Sequence, residues 1–251
     1  MQSEKVFFTN SRGEKICGIL EKPNENKDRI VIVVHGYSTH KNRTSSLLMT
    51  EELTEHGIHS LRIDLSGCGE SEGDFTKQTI TGSADDISAA IAYTKTLGYI
   101  DIALFGASAG GLAVMAAALL NPDVKRLGLK CPVSNFVDLY QKRLGTEGIE
   151  KWRTTGTYPY TTDNEQTHDI DYCVFDDYTK HIMYDQVKAI QCPVLIVHGD
   201  ADETVPVEQS EKLATCFSDA KLVIVPGADH KFTNVEHRTV MNQLFGGWFK
   251  T

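Results

Sequence analysis

The stretch Asp101-Ile-Ala-Leu-Phe-Gly-Ala-Ser-Ala-Gly-Gly-Leu112 decides the fold. Residues 101–105 are apolar and β-favouring, and from Ala109 an Ala/Leu run continues to the helix stop Asn121-Pro122. A buried strand therefore halts at Gly106, turns through Ser108 and becomes a helix at once. Glycines on either side of such a turn let strand and helix approach closely, with the serine hydroxyl exposed at the apex. Ser108 is the candidate nucleophile.

The pattern Gly-x-Ser-x-Gly carries little alone, since at this composition it arises by accident in about one chain in ten. A second match, Gly69-Glu-Ser-Glu-Gly73, lies in the same chain. Its flanks, Asp64-Leu-Ser-Gly-Cys-Gly and Asp74-Phe-Thr-Lys, make a loop rich in glycine and acids, with no helix directly after it. Ser71 reads as a loop residue. Context separates the two serines.

Outward from the elbow, strands and helices alternate. An N-terminal hairpin over residues 5–20 turns at Asn10-Ser-Arg-Gly13. Strands follow at Ile30–Val34, Ile58–Asp64, Arg126–Cys131, Pro193–His198 and Lys221–Val225, with helices near 44–56, 83–96, 207–216 and 235–249. This order calls for a mostly parallel sheet with helices on both faces. Residues 132–189 break the alternation and are too long for a plain connection. They interleave Trp152, Tyr158, Tyr160, Tyr172, Phe175, Tyr178 and Tyr184 with Asp163, Glu165, Asp169, Asp171, Asp176 and Asp177. The expectation is a cap over the carboxyl ends of the strands, where such sheets bind ligands, rather than a surface excursion. The domain reading is a core of 1–131 with 190–251, and a cap of 132–189.

The 251 residues carry a net charge of −9, which argues against nucleic acid and anionic membranes and mildly disfavours highly anionic substrates. No run approaches membrane-spanning length and the N-terminus has no long apolar segment, so a cytosolic protein is the default. The six cysteines are scattered without metal-ligand spacing and read as buried, reduced thiols. Cys68 differs in lying in a flexible-looking glycine loop, where an exposed reactive thiol is the alternative to burial.

A serine nucleophile needs a base, and the base an orienting acid, expected here in the order Ser, acid, His. Of the later histidines, only His230 sits in a loop directly after a strand, in Val225-Pro-Gly-Ala-Asp-His230. His198 ends a strand and reads as packing, His168 and His181 fall in the expected cap, and His237 looks helical. For the acid, His198-Gly-Asp-Ala-Asp-Glu-Thr-Val-Pro206 favours Asp202, with Asp200 as a turn residue and Asp138 as the remaining alternative. An oxyanion needs backbone N–H donors, expected from Ala109 and from the loop after Ile30–Val34, where Tyr37 is the candidate. The Tyr37 phenol either lines the pocket or faces outward.

His35-Gly36, Asp64-x-x-Gly67-x-Gly69-x-Ser71-x-Gly73, Gly106-x-Ser108-x-Gly110, His198-Gly-x-x-Asp202-x-x-Val205-Pro206 and Gly227-x-x-His230 occur in this order. With these motifs the chain resembles the α/β-hydrolase superfamily over nearly its whole length. It is most similar to compact bacterial serine esterases, including cinnamoyl/feruloyl esterases and the monoacylglycerol-lipase and serine-aminopeptidase-like group. The resemblance implies an α/β fold with an eight-stranded sheet, a Ser108–Asp202–His230 triad, no cofactor and no metal. It also implies a short helical cap after the sixth strand, and makes Gly69–Gly73 a structural loop. Cys68 departs from the family pattern, where a bulkier or basic residue is expected. The expected activity is hydrolysis of small acyl or aryl esters through an acyl-enzyme. Peptidase, thioesterase or acyltransferase chemistry on the same triad, and a non-catalytic ligand-binding fold, are the alternatives.

Overall fold

The computed structural model describes residues 2–26, 28–162 and 165–251. Strands β1 (Gln2–Thr9) and β2 (Lys15–Lys22) form the N-terminal hairpin, followed by β3 (Arg29–Val34), β4 (His59–Ile63), β5 (Asp101–Ala107) and β6 (Arg126–Lys130). Two further strands, β7 (Thr157–Thr161) and β8 (Thr167–Asp171), pair only with each other, and β9 (Val194–Gly199) and β10 (Ala220–Val225) return to the main sheet. The eight-stranded sheet runs β1-β2-β4-β3-β5-β6-β9-β10. From β4 to β10 every pairing is parallel, while β1–β2 and β2–β4 are antiparallel.

Period-two alternation along the central strands divides the core in two. Ile30, Ile32 and Val34 of β3 face one cluster, with Ile87 and Ala90 of helix α2 (Ile80–Thr96) and Leu112 and Met115 of α3 (Ala109–Leu120). Val31 and Val33 face the other, with Met49 and Leu53 of α1 (Thr44–Glu55) and Phe245 and Phe249 of the C-terminal helix over Val235–Lys250. Both faces of β3 are therefore dry, which explains its unbroken apolar sequence. Among the described residues no helix is long and apolar enough to cross a membrane.

The glycine loop after β4 is tied down by a buried ion pair. Lys41 donates to Asp64 at 2.5 Å, with side chains 2% and 0% exposed, and Asp64 also accepts the backbone N–H of Lys41 and Glu70. Ser71 donates to the Asp64 carbonyl and accepts the Cys17 N–H, so this serine is a structural tie. The loop is too well anchored to expose Cys68. That thiol is buried, and desolvation pushes it up to about 12, which overturns the reactive-thiol reading.

Between β6 and β9 the chain leaves the sheet. Helix α4 (Phe136–Thr155) breaks at Gly145, where φ is +65°, and is followed by the β7–β8 hairpin, α5 (Tyr172–Tyr178) and α6 (Met183–Gln186). The resemblance implied helices alone, so the hairpin is an addition. Asp163 lies outside the described residues. Most of the aromatics noted in this segment pack on one another: Trp152, Phe175 and Tyr178 are buried, and Trp152 donates to the Ile170 carbonyl at 2.9 Å. One carboxylate of the segment caps a helix of the sheet domain. Asp177 accepts the N–H groups of Ile80 and Thr81 and the Thr81 hydroxyl, capping α2, which starts earlier than the expected Ser83.

Burial opposes ionisation of Asp177, but hydrogen bonds from His181 and Thr81 bring it down to about 2. A folded-state value below the unfolded one gives stability that is present above about pH 4 and fades as the pH drops through about 2. Asp177→Ala should lower the unfolding free energy by about 1–2 kcal/mol at neutral pH. Urea titrations should show this difference shrinking on acidification below pH ~4. Equal midpoints for the two proteins at neutral pH would contradict this capping role.

Candidate active site

The elbow is a strained piece of backbone. Ser108 has φ 56° and ψ −121°, a region that costs a non-glycine residue about 1–3 kcal/mol. It is held there by its N–H on the Lys130 carbonyl (2.9 Å) and by its own carbonyl, which accepts from Gly111 (2.9 Å) and Val133 (3.1 Å). The flanking glycines are steric necessities: a Cβ on Gly106 would lie 2.3 Å from the Gly110 carbonyl oxygen, and one on Gly110 2.3 Å from that of His35. Ala109 is the first residue of α3, so its N–H has no intrahelical acceptor.

Three expected residues meet here. His230 Nε2 is 3.0 Å from Ser108 Oγ, and His230 Nδ1 is 2.6 Å from Asp202 Oδ2. Asp202 is ionised and accepts only, so Nδ1 carries the proton and Nε2 is left to accept from the serine hydroxyl. Asp202 Oδ1 takes the N–H groups of Thr204 and Val205, each at 2.8 Å. Although burial opposes the charge, hydrogen bonds from His198 and His230 hold the Asp202 carboxyl far below the usual range. Burial lowers His230; the Asp202 hydrogen bond opposes this, and the Lys130 charge pushes it lower still. Burial and the Lys130 charge thus favour the neutral imidazole.

Two cavities meet at Ser108. One, of about 370 Å³, is lined by Val133, Phe136, Leu139, Tyr140 and Val205 among others. The other, of about 490 Å³, is lined by His230, Thr39, Lys130 and Arg238 among others. Tyr37 and Tyr160 border both, with their rings 5.1 Å apart. The Tyr37 phenol thus lines the pocket, and its buried hydroxyl has no partner among the described residues.

The prolyl oligopeptidase family matches residues 46–251. The chain belongs to this family. It is 26% identical over 207 residues (80% of this chain) to the mitochondrial palmitoyl-protein thioesterase ABHD10 of Bos taurus, and 28% identical over 232 residues (86%) to protein ABHD12B of Homo sapiens. The matches span 66% and 60% of those two proteins, so the chain covers less than two thirds of their length. Among solved structures, Est1E from Butyrivibrio proteoclasticus with ferulic acid bound is 29% identical, with a TM-score of 0.81 over 96% of this chain and 97% of that one. The fold is that of the α/β hydrolases, and the family places the chain among hydrolases with esterase and thioesterase neighbours.

In this member of the prolyl oligopeptidase family the other acids fall away from the serine. Asp200 is exposed and accepts the Gly227 N–H at 2.6 Å, the turn role expected, and Asp138 is exposed on α4. His168 packs on Phe75, and His181 lies 2.9 Å from the Thr81 hydroxyl. Two contributors were missed. His198 Nε2 lies 3.1 Å from Asp202 and 3.0 Å from the Val205 carbonyl, so it bears a proton, while Nδ1 accepts from Ser210. Lys130, 4% exposed, donates to the His230 carbonyl at 2.6 Å. A histidine and a lysine ending apolar strands were the only signals. Among the described residues two clusters bring three metal-type donors together, Cys131–His198–Asp202 and Cys17–Asp64–Glu70. Asp202 is taken by two histidines, and both carboxylates of the second set by Lys41.

In an NMR titration the His230 ring should titrate below its ordinary value of about 6.5. Lys130→Met removes the neighbouring positive charge and should move this titration upward. A downward or absent shift in a folded variant would remove Lys130 from the electrostatics of the site.

Proposed function

We propose that this protein is a serine esterase that cleaves carboxylic esters of small acyl or aryl acids through an acyl-enzyme. One observation carries the reading: the hydrogen-bonded chain Ser108 Oγ, His230, Asp202 at 3.0 and 2.6 Å. Ser108 attacks the carbonyl carbon, His230 takes its proton and passes it to the leaving oxygen, and Asp202 keeps the ring in the required tautomer. The backbone N–H groups of Tyr37 and Ala109 stabilise the oxyanion. Water, activated by His230, then releases the acid. No cofactor or metal enters these steps. The substrate is a small molecule rather than a nucleic acid.

Residues 132–189 act as the cap and 1–131 with 190–251 as the hydrolase core. The cap's part in specificity rests on Phe136, Tyr140 and Tyr160, which line the cavities at Ser108. A second reading, thioester hydrolysis, is favoured by the name of the bovine relative, and the same acyl-enzyme serves both. The free thiols suit a reducing compartment, which we read as the cytosol, although that relative is named mitochondrial.

A fluorophosphonate probe should label Ser108 in the wild-type protein and leave Ser108→Ala unlabelled. Asp202→Asn should cut turnover of a p-nitrophenyl ester by about 10⁴-fold. Asp200→Asn should cost far less, and the reverse ranking would displace Asp202 as the acid. A wild-type protein that stays unlabelled would leave the non-catalytic alternative standing. Hydroxycinnamate esters, acyl thioesters and aminoacyl amides assayed side by side rank the esterase, thioesterase and peptidase readings.

A further inference from the structure

The larger cavity at Ser108 has a charge that the chain as a whole does not. Among the described residues its lining includes Arg43, Lys130, Lys231 and Arg238 and no Asp or Glu, in a sequence with 34 acidic residues and 25 Lys and Arg. In the smaller cavity the charged residues, Lys142, Arg143 and Glu203, are of both signs and the rest is mainly apolar or aromatic.

Two of these cations, Lys130 and Arg238, have no carboxylate within ion-pair distance among the described residues. Lys130 is 4% exposed, and its one hydrogen bond goes to the His230 carbonyl; it forms no ion pair among the described residues. An ammonium has three donors, so two remain. Arg238, on the C-terminal helix, likewise forms no ion pair among the described residues. Asn242, 8% exposed, lines the same cavity with a buried carboxamide oxygen that has no partner. A half-turn of that amide presents an N–H instead. Helix α1 begins at this wall, with Thr44 and Ser45 in the lining, no side-chain cap and no acid in its first turn. The partial positive charge of the helix start has the same sign as the side chains.

The chemistry assigns this cavity to one half of the substrate. As the Ser108 Oγ–carbon bond forms and the bond from carbon to the leaving atom breaks, the serine proton passes through His230 Nε2 to that leaving atom. The leaving group must therefore lie on the side that His230 lines, the cationic cavity, and the acyl group on the apolar side. We propose that the substrate is an apolar acyl ester, or thioester, of an alcohol or thiol bearing an oxyanion group, a carboxylate or phosphate, held by Lys130, Arg238 and Asn242. This rests on Ser108 and His230 acting as proposed above. The net charge of −9 does not oppose it, because a low-dielectric cleft is governed by the charges that line it.

The test uses three esters of phenylacetic acid, formed with glycolate, 2-phosphoethanol and, as the neutral isostere, glycolamide. Each kcat/KM is divided by the rate of the ester's reaction with hydroxide. At low ionic strength at least one anionic ester should exceed the neutral one by about tenfold or more, since a charge-assisted hydrogen bond contributes about that factor. The preference should fall as salt is added. Arg238→Gln should reduce the ratio several-fold, and the better anionic ester identifies the oxyanion. Turnover of the neutral ester at a rate equal to or above both anionic ones would overturn the inference and leave the hydrolase reading intact. Failure of the fluorophosphonate to label Ser108 would overturn both. If all three esters react too slowly to compare, inorganic phosphate should protect Ser108 from the probe relative to chloride at matched ionic strength. Equal labelling in the two salts would also overturn the inference.

Discussion

The left-handed backbone at Ser108 is the constraint on which the rest of the structure depends. A non-glycine residue at φ 56° reverts unless its surroundings forbid it, and here they do so from three directions. The Lys130 carbonyl holds its N–H, Gly111 and Val133 hold its carbonyl, and the strand before it lies between β3 and β6 in a fixed parallel register. Gly106 and Gly110 are missing a side chain because backbone oxygens occupy that space. Ser71 meets none of these conditions. Its loop has glycines for other reasons: a Cβ on Gly69 would fall 2.2 Å from the Asp64 carboxylate that anchors the loop.

His230 stands between opposing fields. Asp202 favours a charged ring, while burial and Lys130 favour a neutral one, and the second pair prevails. A base that starts neutral but sits beside a fixed anion takes a proton at modest cost and returns it readily. Asp202 can serve as that anion because two histidines and two backbone N–H groups keep it ionised in a dry site. His198 and His230 thus share one carboxylate oxygen, Asp202 Oδ2. Lys130 does two things from one position: it tethers the His230 backbone and sets the charge beside its ring.

The sheet was legible because each of its signals is local. Apolar runs of strand length, the strand–serine–helix junction and the His230 loop are all read within ten or so residues. The hairpin β7–β8 was not legible, since Thr-Tyr-Pro-Tyr-Thr and Thr-His-Asp-Ile-Asp carry little apolar alternation and bury mainly Ile170. The aromatics of 132–189 were visible but their direction was not: Trp152 and Tyr178 look inward to their own cluster, and Tyr160 reaches the serine. The burial of Cys68 was left open by the sequence because the side chain hydrogen-bonded to it, Gln78, lies beyond the loop. Composition counts residues; it does not aim them.

The two cavities also differ in origin. Lys130, Arg238 and Asn242 come from a strand end and the C-terminal helix of the sheet domain, whereas Phe136, Leu139 and Tyr140 come from the segment between β6 and β9. The inserted segment shares the core of the sheet through residues such as Phe136, Tyr140 and Met183, and is tied to it by Asp177, which caps α2, and by Gln209, which bonds Ser134 and Asn135. In the proposed reading the leaving group meets the part of the chain that also positions Ser108 and His230, and the acyl group meets the inserted segment. On the same reading, changes within the inserted segment alter which acid is accepted, while the preference for an anion on the other side follows Lys130 and Arg238.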